Sequence, residues 1–570
     1  MTTNPVFKKL QDAVDYFYSE EIEGDILALP PDVDELTDEE VLDDETTGIP
    51  IVTDIAGYVE VQHNERENNS DEEDNLPLSL LVPKKKMKGE KFQKPITNWI
   101  KANPEYNADP VKYNCRGIED NLKGALHQAS PLEIFENFFD DGIYDLIWNE
   151  TIRYATTQKN KQGWSIRKEN IKIFIGFLIF SGYHTLPSER DYWSDEDDLG
   201  QSIVKNALSR NAYLEIKSLI HFADNTKALD NRTDKYFKIR PLMEKMQTNF
   251  KKFGVFQENL SIDEMMVRYY GRHSMKQFIR TKPIRFGYKL WALCGEDGYC
   301  FSFSPYAGKE DNQSNTPLGT RVILSMLSVV KNPKCYCIYF DNFFSSHALF
   351  VRLKEMKFRA TGTIRENRTA RCPVQPTKEL ERLPRGSYDF RFDTENKILV
   401  VKWNDNKCVS IASNFDTITP MATVTRWNGK TKSRMPIQQP RIIFNYNQYM
   451  GGVDHHDWLL EKYSIAIRGK KWYWCLFTRI IDMAMINSFL LYRRVNGKNS
   501  ITLKDFRREI AISYLKLGHG RSVMKGRPLS LPSTSKTYVP DNVRLDEVGH
   551  FLEKRKNQRR CQYPSCKSRP

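Results

Sequence analysis

The sequence predicts an α/β protein: a ribonuclease-H-like core with an inserted β-domain, flanked by helical segments and preceded by a disordered acidic tail. Three observations carry this. An α-rich block gives way at residue 258 to strands. Those strands come in the order three antiparallel, helix, strand, helix, strand. The charge is also split, because residues 1–80 hold 23 acids and three bases (Lys8, Lys9, Arg66), whereas residues 81–570 hold 82 bases and 50 acids.

Runs such as Asp38-Glu39-Glu40 and Asp71-Glu72-Glu73-Asp74 cannot be neutralised locally and apolar periodicity is weak, so residues 1–125 are expected to form a disordered acidic tail with a basic stretch. Ser70, before the second run, has the look of an acidophilic kinase site, and Pro83-Lys84-Lys85-Lys86-Met87-Lys88 reads as a nuclear localisation signal or a solvated linker. A net +32 behind the tail implies a polyanionic partner, nucleic acid above all. The longest apolar run, Ile173–Phe180, is far short of the ~20 residues of a membrane span, so no membrane partner is expected. No apolar leader follows Lys8-Lys9, and ten scattered cysteines do not make a disulfide framework. An intracellular, nuclear protein with reduced thiols is the expectation.

Ser130-Pro131-Leu132-Glu133 reads as a capping box with Pro at the first helical position, and helical spacing then runs to about residue 250. Residues 126–256 are therefore a first helical segment. Strands are predicted at Leu260–Val267, Tyr288–Cys294 and Tyr299–Phe303, the last two joined by the turn Gly295-Glu296-Asp297-Gly298. A helix at Arg321–Val330, a strand at Cys335–Phe340, a helix at Ser345–Lys357 and a strand at Arg359–Thr363 complete the first part of the core, 257–365. Residues 366–438 read as an inserted β-domain, with strands Ile398–Trp403 and Cys408–Ser413. The core resumes over 439–459, a second helical segment covers 460–530, and 531–570 is a basic tail ending in Cys561 and Cys566.

Three aspartates stand where a sheet brings carboxylates together: Asp263 on the first strand, Asp341 at the end of a later one, and Asp454 after Gly451-Gly452 near a helix start. Such carboxylates suit Mg²⁺, and two such ions activate the attacking oxygen and stabilise the leaving one in phosphodiester cleavage. Asp457 and Glu461 share a helical face with Asp454, which leaves the third ligand open between Asp454 and Asp457. Basic residues Arg272, Lys276, Arg280, Lys282, Arg285 and Lys289 interleave with Tyr269, Tyr270, Phe278 and Phe286, a mixture suited to phosphates and opened strands. Arg468, Lys470 and Lys471 form a second cluster.

Ser261-Ile262-Asp263-Glu264, Phe340-Asp341-Asn342-Phe343-Phe344-Ser345-Ser346 and Tyr446-Asn447-Gln448-Tyr449-Met450-Gly451-Gly452-Val453-Asp454-His455-His456-Asp457 closely resemble the three catalytic blocks of piggyBac-family transposases. Lys282–Lys289, Ala360–Arg365, Ile467–Tyr473 and His221–Asn225 resemble further blocks in family order, and the likeness runs from about Ser130 to Leu517. Within the family, the chain looks most like the domesticated element-derived proteins of animal genomes. The resemblance implies a ribonuclease-H-like transposase with Asp263, Asp341 and Asp454 binding two Mg²⁺ ions per site and Asp457 as a fourth acid. It implies an active-site role for Trp472 and places Asn342 beside the second ligand. Together with the basic clusters, the expected DNA-binding set is Arg285, Lys289, Asn342, Arg365, Arg468, Lys471 and Trp472. The implied reaction is nicking at transposon ends, hairpin formation and opening, and joining at TTAA, by a homodimer on double-stranded DNA. Family members usually end in a cysteine-rich zinc domain. Here Cys561 and Cys566 alone cannot complete a four-coordinate site, so that domain is expected to be truncated and zinc is doubtful. A domesticated nuclear DNA-binding protein without transposition activity is the alternative.

Overall fold

The computed structural model describes residues 96–106 and 116–518, except 229–230, 232–233, 272, 280–283, 309–315, 429–431 and 498–499. It also describes three strands nearer the N-terminus. Ser70, the basic run at 83–88, Arg272, Arg280, Lys282, Cys561 and Cys566 lie outside the described residues.

Where the acidic segment was expected to carry no element, β1 (Val6–Phe7), β2 (Gly24–Leu29) and β3 (Tyr58–His63) form an antiparallel sheet in the order β1-β3-β2. After β4 (Trp99–Ile100) and α1 (Arg116–Ala125), the capping box forms as predicted: Ser130 Oγ accepts from the Glu133 N–H, and the Ser130 N–H donates 2.7 Å to Glu133 Oε2. That box starts α2 (Pro131–Phe138), and α3 (Asp141–Thr157), α4 (Lys168–Ser181), α5 (Ser202–Ala207), α6 (Arg210–Leu219) and α7 (Arg240–Phe250) follow. Ten residues of α4 are buried, which is why its sequence reads apolar on every side.

The central sheet has ten strands. Its predicted heart is β5 (Asn259–Arg268), β7 (Phe286–Gly295) and β8 (Cys300–Pro305), with the short β6 (Gln277–Phe278) beside β7. Then α8 (Leu318–Leu327) leads to β9 (Cys337–Phe340), and α9 (His347–Glu355) to β10 (Arg359–Thr363). β9 lies parallel to both β5 and β10. After α10 (Thr377–Leu380), the strands β11 (Tyr388–Asp393), β12 (Ile398–Asn404) and β13 (Cys408–Ser413) do not form a separate sheet. β13 pairs antiparallel with β10, so the sheet runs β4-β11-β12-β13-β10-β9-β5-β7-β6 with β8 on β7. The insertion thus extends the core sheet, and only β14 (Ala422–Asn428) and β15 (Ser433–Gln439) stand apart as a two-stranded ribbon.

The chain closes with α11 (Arg441–Tyr449), α12 (Gly452–Lys462), α13 (Trp474–Asn496) and α14 (Leu503–Lys516). α13 is long and apolar enough to cross a bilayer, yet its most apolar window is 94% buried by its own chain. Asn487 at its centre accepts from the Cys300 N–H at 2.9 Å and donates to the Cys300 carbonyl at 2.8 Å, which docks the helix on β8. α14 packs on α4 so closely that a Cβ on Gly176 would lie 2.6 Å from Tyr514 Cβ, and Tyr144 and Tyr514 share a hydroxyl hydrogen bond of 2.7 Å. The two helical segments flanking the sheet in sequence are therefore joined in space.

Residues 96–106, expected in the tail, strap the far edge of the sheet. Asp393 on β11, fully buried, accepts from the Asn98 N–H at 3.0 Å, from Asn396 at 2.7 Å and from His347 Nε2 at 2.9 Å. Burial pushes the Asp393 carboxyl up, but these bonds outweigh it and hold the group below the ordinary 3.8. Trp99 packs edge-on against His347, and Lys101 pairs with Asp389 at 2.8 Å. Replacing Asp393 with Ala leaves buried His347 without this acceptor and unties Asn98 and Asn396, so Asp393→Ala is expected to cost about 1–3 kcal/mol in urea unfolding. Lys101→Ala, whose side chain is 61% exposed, is expected to cost under about 1 kcal/mol.

Candidate active site

The parallel register builds the site. Ile262 on β5 pairs with Phe340 on β9, and Phe340 pairs with Gly362 on β10. One residue further, Asp263, Asp341 and Thr363 come level, on the face that also carries Ser261, Tyr339 and Thr361. Helices α11 and α12 cover that face. Tyr449 packs on Tyr339 with ring centroids 5.4 Å apart, and a Cβ on Gly452 would lie 2.3 Å from the Gly295 carbonyl oxygen and 2.6 Å from Ser261 Oγ. Only glycine lets the α12 N-terminus approach the sheet this closely. His456, one turn on along the same face, fixes the helix further, with Nδ1 2.7 Å from the Gly298 carbonyl in the β7–β8 turn.

This places Asp454, exposed in the first turn of α12, on the side of the sheet that carries Asp263 and Asp341. The Tyr446 phenol of α11 registers all three. Burial first, and then the charges of Asp341, Asp263 and Asp454, push it well above its ordinary value, against a hydrogen bond from Thr363. Backbone amides fix the carboxylates of Asp263 and Asp341: Asp263 Oδ1 accepts from the Glu264 N–H and Asp341 Oδ1 from the Phe343 N–H, both at 2.8 Å. Asp457, one turn on, acts on buried Arg479 and on Cys294. Among the described residues no group of three His, Cys, Asp or Glu side chains is drawn together closely enough to hold a metal ion. Carboxylate oxygens are nonetheless the donor type that a hard divalent cation takes, alongside waters and substrate oxygens.

The expected DNA-binding residues divide. Asn342 and Arg365 sit beside Asp341, with Arg365 Nε donating to Asn342 Oδ1 at 3.3 Å. Arg285 is exposed at the start of β7. Arg468 lines a cleft of about 440 Å³ between the end of β5, the 463–469 loop and α13, together with Arg268, Glu461 and Arg479. Lys289 pairs with Met266 and so lies on the sheet face opposite Asp263, where it sits 4.0 Å over the Trp291 ring and 3.5 Å from Glu264. Lys471 and Trp472 are in the core. Lys471 donates 2.7 Å to the Ile220 carbonyl, and Trp472, 1% exposed, stacks on His273 at 4.4 Å. Among the described residues of 269–289, Tyr269 likewise stacks on Tyr288, and buried Lys276 donates to the carbonyls of Tyr270 and Gly271.

The family model described as Transposase IS4 matches residues 130–489. Human PiggyBac transposable element-derived protein 2 is 34% identical over 501 residues, covering 87% of this chain and 81% of that protein. Human PiggyBac transposable element-derived protein 3 is also 34% identical, over 86% and 81%. The chain belongs to the piggyBac transposable element-derived family. Its fold matches the cryo-EM structure of the piggyBac transposase synaptic complex with hairpin DNA, with a TM-score of 0.59 at 21% identity over 76% of this chain and 88% of that one.

Two residues of this family member escaped the sequence reading. Arg368 donates to the carbonyls of Asn342 and Phe343 at 3.2 and 3.0 Å, within the field of Asp341. Its place was signalled only by its spacing of three from Arg365. Asp416, buried, accepts from Thr361 at 2.9 Å and from Asn445 at 2.7 Å and so ties β10 to the helix carrying Tyr446. Burial pushes its carboxyl up to about 6 against those bonds. No local pattern marks it.

Two expectations follow from the aromatic packing. Trp472→Ala is expected to cost about 3–5 kcal/mol of folding stability, read by chemical unfolding, because the emptied volume is enclosed. His273, beneath Trp472, is held down to about 4 by burial first and by Lys235 and Lys238 second. Its folded value lies below the ordinary 6.5, so the stability it contributes is complete above 6.5 and is lost as pH falls towards 4. His273→Phe is expected to remove this loss on acidification, so that the melting temperature rises less, or falls, from pH 4 to 6.5 relative to wild type.

Proposed function

We propose that this chain is a piggyBac-type DNA transposase, in which a ribonuclease-H-like part of the sheet carries metal-dependent phosphoryl transfer on double-stranded DNA with excision and joining at TTAA. The reading is supported by the strand register that brings Asp263 and Asp341 level on one face, on the side where Tyr446 feels the charges of Asp263, Asp341 and Asp454. Asp263, Asp341 and Asp454 would hold the metal, with Asp457 behind them. A divalent cation there, Mg²⁺ by the all-oxygen donor set, supplies activation of an attacking oxygen and stabilisation of a leaving one. The rest is the work of the protein. The Glu264 and Phe343 amides fix the rotamers of Asp263 and Asp341, so the carboxylates need no reorganisation when substrate arrives. Arg365 and Arg368, flanking Asp341, would hold the scissile strand by its phosphates. The net positive charge of residues 81–570 would draw DNA to this face.

A homodimer working in the nucleus completes the reading. Support for DNA as partner comes from the fold shared with a transposase whose structure is a synaptic complex with hairpin DNA. The second reading is a transposase-derived nuclear DNA-binding protein without transposition. It is favoured by the relatives, both named as transposable element-derived.

The test is nicking and excision of a duplex carrying matched ends and flanking TTAA, with Mg²⁺ supplied. Asp263→Ala, Asp341→Ala and Asp454→Ala are each expected to lower cleavage by about 10³-fold or more, since the loss of a metal ligand removes several kcal/mol of charge stabilisation. Arg368→Ala is expected to weaken DNA binding with folding intact. Cleavage that persists in Asp341→Ala sinks the metal reading. DNA binding without cleavage by the wild type favours the second one.

A further inference from the structure

The β14–β15 ribbon is the one strand pair outside the central sheet among the described central elements, and its two faces differ. Val424 and Ile437, directly paired, pack on the apolar cluster beneath the insertion strands, as the alternation of half-buried and exposed residues along β14 requires. The other face is turned to solvent. There Trp427 is 60% exposed and pairs directly with exposed Arg434, while Lys432 stands at the start of the returning strand. Arg426, on the inner face, is already neutralised by Asp405 at 3.0 Å.

A large exposed aromatic beside cations has a polyanion as its natural partner. Residues 422–439 contain four bases and no acid. Pro436 removes a ladder donor from β15, which disfavours strand addition by another protein. A two-stranded ribbon is also about the width that the major groove of B-DNA admits.

We propose that the outer face of the β14–β15 ribbon is a second DNA-contacting surface, in which Arg434 and Lys432 meet phosphates or base edges of a duplex and Trp427 packs against its groove wall. The proposal rests on the reading of this chain as a DNA-binding protein and adds to it an element outside the sheet that carries Asp263 and Asp341.

The test is fluorescence anisotropy of the full chain with a 30-base-pair duplex, chosen at ~30 to exceed the footprint of a single module, over a series of salt concentrations. The variants are Trp427→Ala/Arg434→Ala, Trp427→Phe and, as reference, Arg365→Ala/Arg368→Ala. The ribbon double variant is expected to bind roughly 10-fold more weakly, with a salt slope shallower by about one for the lost phosphate contact, and Trp427→Phe to retain most of the affinity. An unchanged affinity and slope in the ribbon variant, alongside weakened binding in the reference, overturns the ribbon proposal and leaves the DNA reading standing. No binding by the wild type overturns both. A change in sedimentation coefficient with unchanged DNA affinity assigns the ribbon to self-association and also overturns the proposal. Because both side chains are exposed, unchanged melting temperatures are expected throughout.

Discussion

The candidate site depends on one constraint, the parallel pairing of β9 between β5 and β10. Ile262 opposite Phe340 and Phe340 opposite Gly362 set the register of three strands drawn from over a hundred residues of chain. A slip of one residue would turn either Asp263 or Asp341 to the opposite face of the sheet. Register is held by burial: Leu260, Ile262, Ile338, Phe340 and Ala360 are all fully buried, so the apolar set cannot move without exposing the core. The carboxylates occupy the alternate positions, and the energy that fixes their geometry comes from apolar neighbours that take no part in the chemistry.

The third aspartate is positioned by another route. Asp454 belongs to a helix, and a helix is positioned by its packing rather than by a ladder. Gly452 lets α12 rest against Ser261 and the Gly295 carbonyl, His456 holds the β7–β8 turn, and buried Val453 and Leu460 face inward. Asp416 then ties α11 to β10 through Asn445 and Thr361. Its ionisation works against the fold. A folded value of about 6, above the ordinary 3.8, means that its favourable contribution is full below 3.8 and is lost as pH rises through 6. That sign is opposite to that of His273 over nearly the same window, so the two groups partly cancel in wild type.

What the sequence made legible were the features settled by near neighbours. The Ser130–Glu133 box, the strand Arg359–Thr363 and the aspartates at strand ends need only a few residues of context. The parts that stayed hidden depend on distant partners. Trp99–Ile100 is too short for periodicity to mark it, and its contacts lie on β11 nearly 300 residues away. The insertion looked separate because its strands are contiguous in sequence, while the pairing of Thr361 with Ser413 that merges it into the sheet is invisible locally. Lys276 and Lys471 read as phosphate contacts for a related reason. A lysine with a buried stem and satisfied head, like Lys276 or Lys471, leaves the same letter in the sequence as one on the surface.

A ten-stranded sheet also has to protect its edges. Unpaired edge groups are templates for aggregation, and natural sheets blunt them with short strands or cover. Here β4 and β6, which end the strand order, are two residues each. On the side of β8, Asn487 from α13 takes both the N–H and the carbonyl of Cys300. That contact accounts for one of the buried polar residues of α13, which also include Arg479, Asp482 and Ser488: a leucine there would leave two backbone groups of Cys300 without their α13 partner, at about 1–3 kcal/mol each. The most membrane-like helix of the chain is thus seated in the core in part by polar contacts, the Asn487–Cys300 bond pair and the buried Asp482–Arg507 ion pair among them.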